Sequence, residues 1–182
     1  MTTPRALDGP GSVLSGDAIR IAISEETPLL RDFKDLESQV QPNGFDLTLA
    51  SVSRHLGSGS VGQSNTDRIL PDLEDLAFDA NGWLHLDPGC YHITYNEVVA
   101  LPLNLMALGR PRSTLARIGA TIHTAVWDAG YEGRSTSLLA VLNPNGIRLQ
   151  RDARVMQLVF MTIANPQETG YSGRYQGEGV HP

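Results

Sequence analysis

Very little in this chain can cross-link it. Cys90 is the single cysteine. That excludes an internal disulfide and a multi-cysteine metal centre, and leaves a small buried or half-buried thiol as the plain expectation. Long apolar runs are also missing. No stretch approaches the roughly 20 apolar residues that a helix needs to span a bilayer, so no membrane contact is expected. The opening MTTPRALDGPGS lacks the apolar core of a secretion signal, and the cytoplasm is the default location. Positive charge is scarce too. The formal net charge is −6, whereas a protein that coats nucleic acid carries a basic face. A small anionic ligand is still open to this chain, because a few local arginines suffice to hold one.

Glycine and proline, by contrast, are plentiful. Their 18 and 11 copies are spread along the sequence, which suits many short strands joined by turns. The length fits one domain, 1–182, with a real core. There is no internal repeat and no second composition regime. Residues 1–12 read as a loose arm. Ser15 is an N-cap candidate for a short helix over VLSGDAIRIAI (13–23), with Asp17 in its first turn and Pro28 limiting it. QPNGFDLTL (41–49) reads as a turn feeding a strand. SRHLGSGSVGQSNTD (53–67) reads as a mobile insertion. WLHLDPGCYHITYNEVVALP (83–102) alternates around Pro88-Gly89, which predicts a hairpin. From Leu103 the pattern runs strand, turn, strand, with a firm turn at Pro144-Asn145-Gly146. MQLVFMTI (156–163) is almost continuously apolar, which predicts burial on both faces. The segment 165–182 reads as a flexible glycine-rich tail. A mainly β fold results, a distorted jelly-roll-like barrel with a short N-terminal helix.

Four segments carry chemistry. In GRPRSTLARIG (109–119), Arg110, Arg112 and Arg117 surround Ser113 and Thr114. Guanidinium groups and hydroxyls together give a polyphosphate charge and directed hydrogen bonds. A solvated, arginine-rich surface turn has the same composition. In AVWDAGYEG (125–133), Asp128 follows an apolar strand and precedes Gly130. A carboxylate at a strand end can orient and deprotonate water, or bond its own turn. Tyr131 offers a flat face to a sugar or base, or serves as an ordinary core tyrosine. In YSGRYQGEG (171–179), glycines free backbone N–H groups to wrap a ligand; a disordered end is the bland alternative. In RVMQLVF (154–160), Gln157 is a polar residue in an apolar strand and needs a partner.

Taken in order, these segments resemble the dUTPase and dCTP deaminase superfamily, from about Val13 to Gly177. VLSGDAIRIAI is similar to the N-terminal helix of the deaminase branch. QPNGFDLTL is similar to the Gly-x-Asp-Leu motif near the metal, and LDPGCYHITYNEVVALP to a Pro-Gly hairpin leading to Leu-Pro. RSTLAR (112–117) matches Arg-Ser-Ser-Leu-x-Arg with one change. WDAGYEG, RVMQLVF and YSGRYQG match the third motif, the Arg-x-x-Gln-apolar-x-Phe motif and the tail of the archaeal-type and deaminase branch.

The resemblance implies a dUTPase-type barrel, a homotrimer with sites at subunit interfaces, and Mg²⁺ held mostly by triphosphate oxygens. It implies dUTP as substrate, split into dUMP and pyrophosphate, with Asp128 activating water. Ser113, Thr114, Arg117 and Gln157 would bind phosphates, with Arg112 supporting the loop. Tyr131 would pack on deoxyribose. Tyr171, Arg174 and Gln176 would close over the triphosphate. Asp46 would be an outer-shell metal contact or a plain turn residue.

The deaminase branch relies on a Glu about five residues past the third-motif glycine. Here Leu138 or Ala140 falls at that position, depending on the direction of counting, and residues 134–143 hold no acid. Deamination without a proton shuttle should be very poor. A deaminase or bifunctional enzyme with a relocated acid, and a non-catalytic nucleotide-binding protein on the same scaffold, are the alternatives. Gly130 stands where the dUTPase motif has a second Asp.

Overall fold

The computed structural model describes residues 11–180. Arm residues 1–10 and the last two tail residues lie outside that range. Ser15 caps α1 (Gly16–Ile23) as its spacing predicts: the hydroxyl accepts from the Ala18 N–H at 3.3 Å. Asp17 in the first turn complements the helix dipole, and Ile19 is buried in the core. Asp35 caps a second, one-turn helix, α2 (Leu36–Gln39). No helix among the described residues is long and apolar enough to cross a membrane.

The strands are β1 (Leu30–Arg31), β2 (Val40–Gln41), β3 (Gly44–Leu56), β4 (Asp72–Asp75), β5 (Trp83–Leu86), β6 (Gly89–Tyr95) and β7 (Val98–Ala100). They continue with β8 (Leu105–Pro111), then the short helix α3 (Ser113–Arg117), β9 (Ala120–His123), β10 (Val126–Trp127), β11 (Glu132–Gly133), β12 (Thr136–Val141), β13 (Ile147–Gln150) and β14 (Arg154–Thr162). The main sheet runs β10-β8-β14-β3-β6-β12-β9, and β2 and β4 also pair with β3. Its two end strands, β9 and β10, are consecutive in the chain. Six strand spacings of about 4.8 Å would separate them by roughly 29 Å in a flat sheet. The chain from His123 to Val126 reaches at most about 11 Å. The sheet must therefore curl back toward itself, which is the barrel-like closure expected from the sequence.

The inner face of this curl is the core. Phe45, Leu47 and Leu49 of β3, Tyr95 of β6, Leu139 of β12 and Met156, Leu158 and Phe160 of β14 are all fully buried. Two smaller sheets complete the fold: β1-β7-β11, and β13-β5.

Four expectations need correction. Pro88-Gly89 does not close a hairpin: β5 pairs with β13, and β6 pairs with β3 and β12. A tight two-residue hairpin turn uses positive φ, and Gly89 is not among the glycines that adopt it. Residues 53–56, read as part of an insertion, are the end of β3 and pair with β4. RSTLAR, read as an arginine-rich turn, is a short helix at Ser113–Arg117. Finally, β14 is buried on one face only. Gln157, Val159 and Met161 alternate with the buried residues and are half-buried.

The tail is docked over its described length. Tyr171 N–H donates to the Ala129 carbonyl at 2.7 Å, Gly177 N–H to the Glu132 carbonyl at 2.7 Å, and Arg134 N–H to the Glu178 carbonyl at 2.7 Å. Gly130 adopts φ +80°, and a Cβ there would lie 2.6 Å from Gly170 Cα. Glycine is what allows the two segments to touch.

A buried carboxylate locks the corner between β6 and β7. Glu97 is wholly buried. It accepts from Thr48 N–H at 2.9 Å, Thr48 Oγ1 at 2.6 Å and Gln39 Nε2 at 2.7 Å. Burial raises its pKa, and these hydrogen bonds oppose the rise.

Two predictions follow from this packing. Gly130→Ala should detach the tail, so that trypsin cuts after Arg174 faster than in the wild type while the melting temperature stays close. An unchanged cleavage rate would show that docking does not need the Gly130–Gly170 contact. Because Glu97's folded pKa is raised, its contribution is fully present below the unfolded value near 4.5 and is lost as pH climbs through the folded value. The melting temperature of Glu97→Gln relative to the wild type should therefore rise from pH 4.5 to pH 8. A difference that does not change with pH would refute the raised titration.

Candidate functional site

A cavity of about 620 Å³ opens at the seam where the sheet closes. That volume is in the usual range for a small-molecule site. Strand alternation places its residues. In β10 the Trp127 side chain points inward and is buried, with its Nε1–H donating to Ser135 Oγ at 2.6 Å. The next residue, Asp128, therefore faces out and is exposed on the cavity wall. The turn after it is pinned on both sides: Tyr131 N–H donates to the Asp128 carbonyl at 3.1 Å, Gly130 N–H to the Leu101 carbonyl at 3.0 Å, and Leu101 N–H to the Tyr131 carbonyl at 2.8 Å. Asp128 thus sits on a rigid turn with its carboxylate open to solvent.

Tyr131 is both things the sequence left open. It is buried, and its ring lines the cavity. Its hydroxyl donates to Glu178 Oε1 at 3.0 Å and lies 3.3 Å from Ser135 Oγ. Burial pushes this phenol's pKa upward, which keeps it neutral. Burial also raises Glu178, while the tyrosine's hydrogen bond pulls it down. Tyr171 meets Tyr131 edge to face at 5.7 Å and lines the same cavity, as do Tyr175 and Glu178 of the tail. Gln176 ties the tail to the turn: its Nε2 donates to the Gly130 carbonyl at 3.0 Å, and its Oε1 accepts from Glu132 N–H at 3.2 Å. Arg174 is exposed.

The arginine-rich segment forms a second group elsewhere. Pairing places Arg110, Gln157 and Asp46 side by side on β8, β14 and β3. Gln157 packs against Gly44, where a Cβ would come within 2.8 Å of its Nε2. Asp46 is buried, and its Oδ2 lies 3.1 Å from Arg112 Nε and 3.5 Å from Arg154 Nη1. Burial raises the Asp46 pKa, and the two guanidinium groups counter it. Gln39 links this carboxylate's strand to Glu97, since its Nε2 also donates to the Asp46 carbonyl at 2.8 Å. Ser113, Thr114 and Arg117 project from α3 and are exposed.

Of the residues singled out from the sequence, Asp128, Tyr131 and Tyr171 share the cavity, and Gln176 buttresses it. Arg112, Ser113, Thr114, Arg117, Gln157 and Arg174 do not line it within one chain. Sequence reasoning missed His55, His92, Ser135, Thr136, Tyr175 and Glu178. The alternation of β3, β6 and β12 was the only available signal for His55, His92 and Thr136, and it says nothing about which strands adjoin. Leu138 and Ala140, the two positions where a deaminase acid would fall, are two apart in β12 and so share a face. Their cross-strand partners are His92 and Cys90.

Among the described residues no group of three or more His, Cys, Asp or Glu side chains is placed to hold a metal ion. The described residues of one chain therefore offer no ready-made cage for a cation.

Residues 13–163 match the family described as dCTP deaminase-like. A protein of Archaeoglobus fulgidus named "Probable deoxyuridine 5'-triphosphate nucleotidohydrolase" is 52% identical over 169 residues, covering 93% of this chain and 98% of that one. One of the same name from Methanosarcina mazei is 47% identical over 170 residues, covering 93% and 99%. The crystal structure of 2'-deoxycytidine 5'-triphosphate deaminase from Agrobacterium tumefaciens superposes with a TM-score of 0.65 at 24% identity over 86% of this chain. This chain spans about half of that one, 49%, and the likeness shows a common fold. With its ordered motifs, its curled sheet and these relatives, the chain belongs to the dCTP deaminase-like family.

Proposed function

We propose that this protein is a dUTP diphosphatase, which hydrolyses dUTP to dUMP and pyrophosphate and so removes dUTP and supplies dUMP. One observation carries the reading: Asp128 is exposed on a rigid turn in the cavity wall, while both positions open to a deaminase acid on β12 are apolar. Relatives named as deoxyuridine triphosphate nucleotidohydrolases at up to 52% identity agree with it.

Asp128 hydrogen-bonds a water and takes its proton as the water oxygen attacks the α-phosphorus. The bond from that phosphorus to the bridging oxygen breaks, and pyrophosphate leaves with the bond's electron pair. Tyr131, held by Glu178 and Ser135, packs against the deoxyribose. Arg117, Ser113, Thr114 and Gln157 bind phosphate oxygens, and Asp46 holds Arg112 in place beneath them. Tyr171, Arg174 and Gln176 close the tail over the triphosphate and exclude water. The phosphate-binding group and the Asp128 cavity are separate within one chain. In the homotrimer that the family resemblance implies, neighbouring copies supply them to one site. A bound Mg²⁺ would be held mostly by the triphosphate's own oxygens and would supply neutralisation of the charge that develops on the phosphates. Asp128 is an exposed carboxylate on the cavity wall, whereas Asp46 is engaged by two guanidinium groups.

The test is a product assay with Mg²⁺ and, separately, dUTP and dCTP. dUMP and pyrophosphate from dUTP alone are expected. Ammonia, or dUMP from dCTP, would overturn the assignment in favour of a deaminase. Asp128→Asn should keep nucleotide binding and lower kcat by at least about 10²-fold, the usual worth of a general base; normal turnover would remove Asp128 from the role. Ending the chain after Pro166 should weaken triphosphate binding and slow hydrolysis, and an unchanged rate would show that the tail is not a lid.

A further inference from the structure

We infer that Glu178 is a positioning residue that sets sugar selectivity. It ends a one-way chain of hydrogen bonds, Trp127–Ser135–Tyr131–Glu178, that fixes the Tyr131 ring while the tail is docked. The inference deepens the functional reading above and rests on it for the identity of the ligand. Trp127 Nε1–H donates to Ser135 Oγ at 2.6 Å. That oxygen lies 3.3 Å from the Tyr131 oxygen, and the Tyr131 hydroxyl donates to Glu178 Oε1 at 3.0 Å. All four residues line the cavity that holds Asp128.

Three features support this role. First, the two ends fix the direction of the chain. An indole N–H can only donate, and a carboxylate can only accept. The one tyrosine proton goes to Glu178, so the proton between Ser135 and Tyr131 is the serine's. Each hydroxyl then gives one bond and receives one. Trp127, Ser135 and Tyr131 are buried, and bonds aligned in this way strengthen one another away from water. Second, the backbone brings the carboxylate to the phenol. Arg134 N–H donates to the Glu178 carbonyl at 2.7 Å, and Gly177 N–H to the Glu132 carbonyl at 2.7 Å. A Cβ on Gly133 would run into the Tyr131 hydroxyl and lie 3.2 Å from Glu178 Cγ. The bare backbone of Gly133 leaves room for the contact. Third, Glu178 forms no ion pair among the described residues. Arg134 is taken by Asp32 and the Gly179 carbonyl, and no Lys or Arg lines the cavity. The tyrosine hydroxyl is therefore what the carboxylate is placed to meet. Tyr171 meets the same ring edge to face at 5.7 Å, so the tail grips Tyr131 at both ring and hydroxyl. A ring held this way cannot tilt to admit a ribose 2′-hydroxyl, and without Glu178 it can.

The experiment measures kcat and KM with Mg²⁺ for dUTP and for UTP. It compares wild type, Glu178→Leu, Glu178→Gln, Tyr131→Phe and the Glu178→Leu/Tyr131→Phe double variant. Glu178→Leu should lower the preference for dUTP over UTP about tenfold, the worth of one hydrogen bond. The change should lie in KM, with kcat for dUTP within about twofold. Glu178→Gln keeps an acceptor and should recover most of the preference. Tyr131→Phe should lose as much as Glu178→Leu, and the double variant no more than either, because both break one chain. Wild-type preference in Glu178→Leu, equal losses for dUTP and UTP, or losses that multiply in the double variant would overturn the inference. Trypsin cleavage after Arg174 reports tail docking. If Glu178→Leu is cut faster than the wild type, Tyr131→Phe decides with the tail in place, and an unchanged preference there rejects the role. If the wild type hydrolyses neither nucleotide, the functional reading fails, and the indole N–H resonances of the ¹⁵N-labelled protein decide the chain separately. A Trp127 signal that moves in Glu178→Leu while that of Trp83 stays sustains it, and an unmoved Trp127 signal rejects it.

Discussion

The fold depends on one covalent constraint: two residues, Thr124 and Ala125, join strands that lie at opposite ends of the main sheet. A flat sheet cannot satisfy that link, so the sheet curls, and curling gives it an inside. The residues that fill the inside alternate along β3, β6, β12 and β14, with register shifts in β3 after Leu49 and in β14 before Met156. The seam that closes the curl is also where the chain must turn. β10 is only two residues long, and the hydrogen bonds that would continue it go to Leu101 instead. Trp127 anchors the inner side of the seam. Asp128, next in sequence, is forced to the outer side. The candidate base is thus exposed because the residue before it is buried.

Buried charge is the second organising element. Glu97 and Asp46 both lie out of solvent, which is costly unless each is bonded. Their partners differ. Glu97 has neutral donors on Thr48 and Gln39, while Asp46 has Arg112 and Arg154. Gln39 touches Glu97 and the Asp46 backbone, so one amide couples the β6–β7 corner to the strand beneath the arginine-rich helix. Arg112 precedes Ser113 directly, and a fixed Arg112 therefore fixes where α3 starts. The Gly-Phe-Asp segment serves this chain as the footing of its arginine loop.

The docked tail adds residues to the cavity wall. Tyr171, Tyr175 and Glu178 reach it only because Gly130 and Gly170 permit two backbones to touch. The contact couples the turn that carries Asp128 to the tail that covers it. A change in either glycine acts on both.

Much was legible in the sequence because it is local. Ser15 caps a helix, Pro144-Asn145-Gly146 turns, and Trp127-Asp128-Ala129-Gly130 ends a strand; each depends on backbone preferences within a few residues. The ordered motifs also pointed to the family and its barrel. What failed was pairing. Pro88-Gly89 has the composition of a hairpin turn, but which strands adjoin is decided by who else competes for their edges, and β13 took β5. The apolar run 156–163 was misread for the same reason: composition does not reveal which face a neighbour covers. The candidate site divides likewise. Asp128, Tyr131 and the arginine motif were found from residue type and spacing. His55, His92 and Glu178 were not, because they come from β3, β6 and the tail, and only the register of one strand on the next brings them to one cavity. The sequence by itself determined the chemistry of each segment, since side-chain type and local backbone preference are properties of neighbours in the chain. Only the tertiary structure decided which segments share a surface, since that follows from the closure of a sheet across more than a hundred residues.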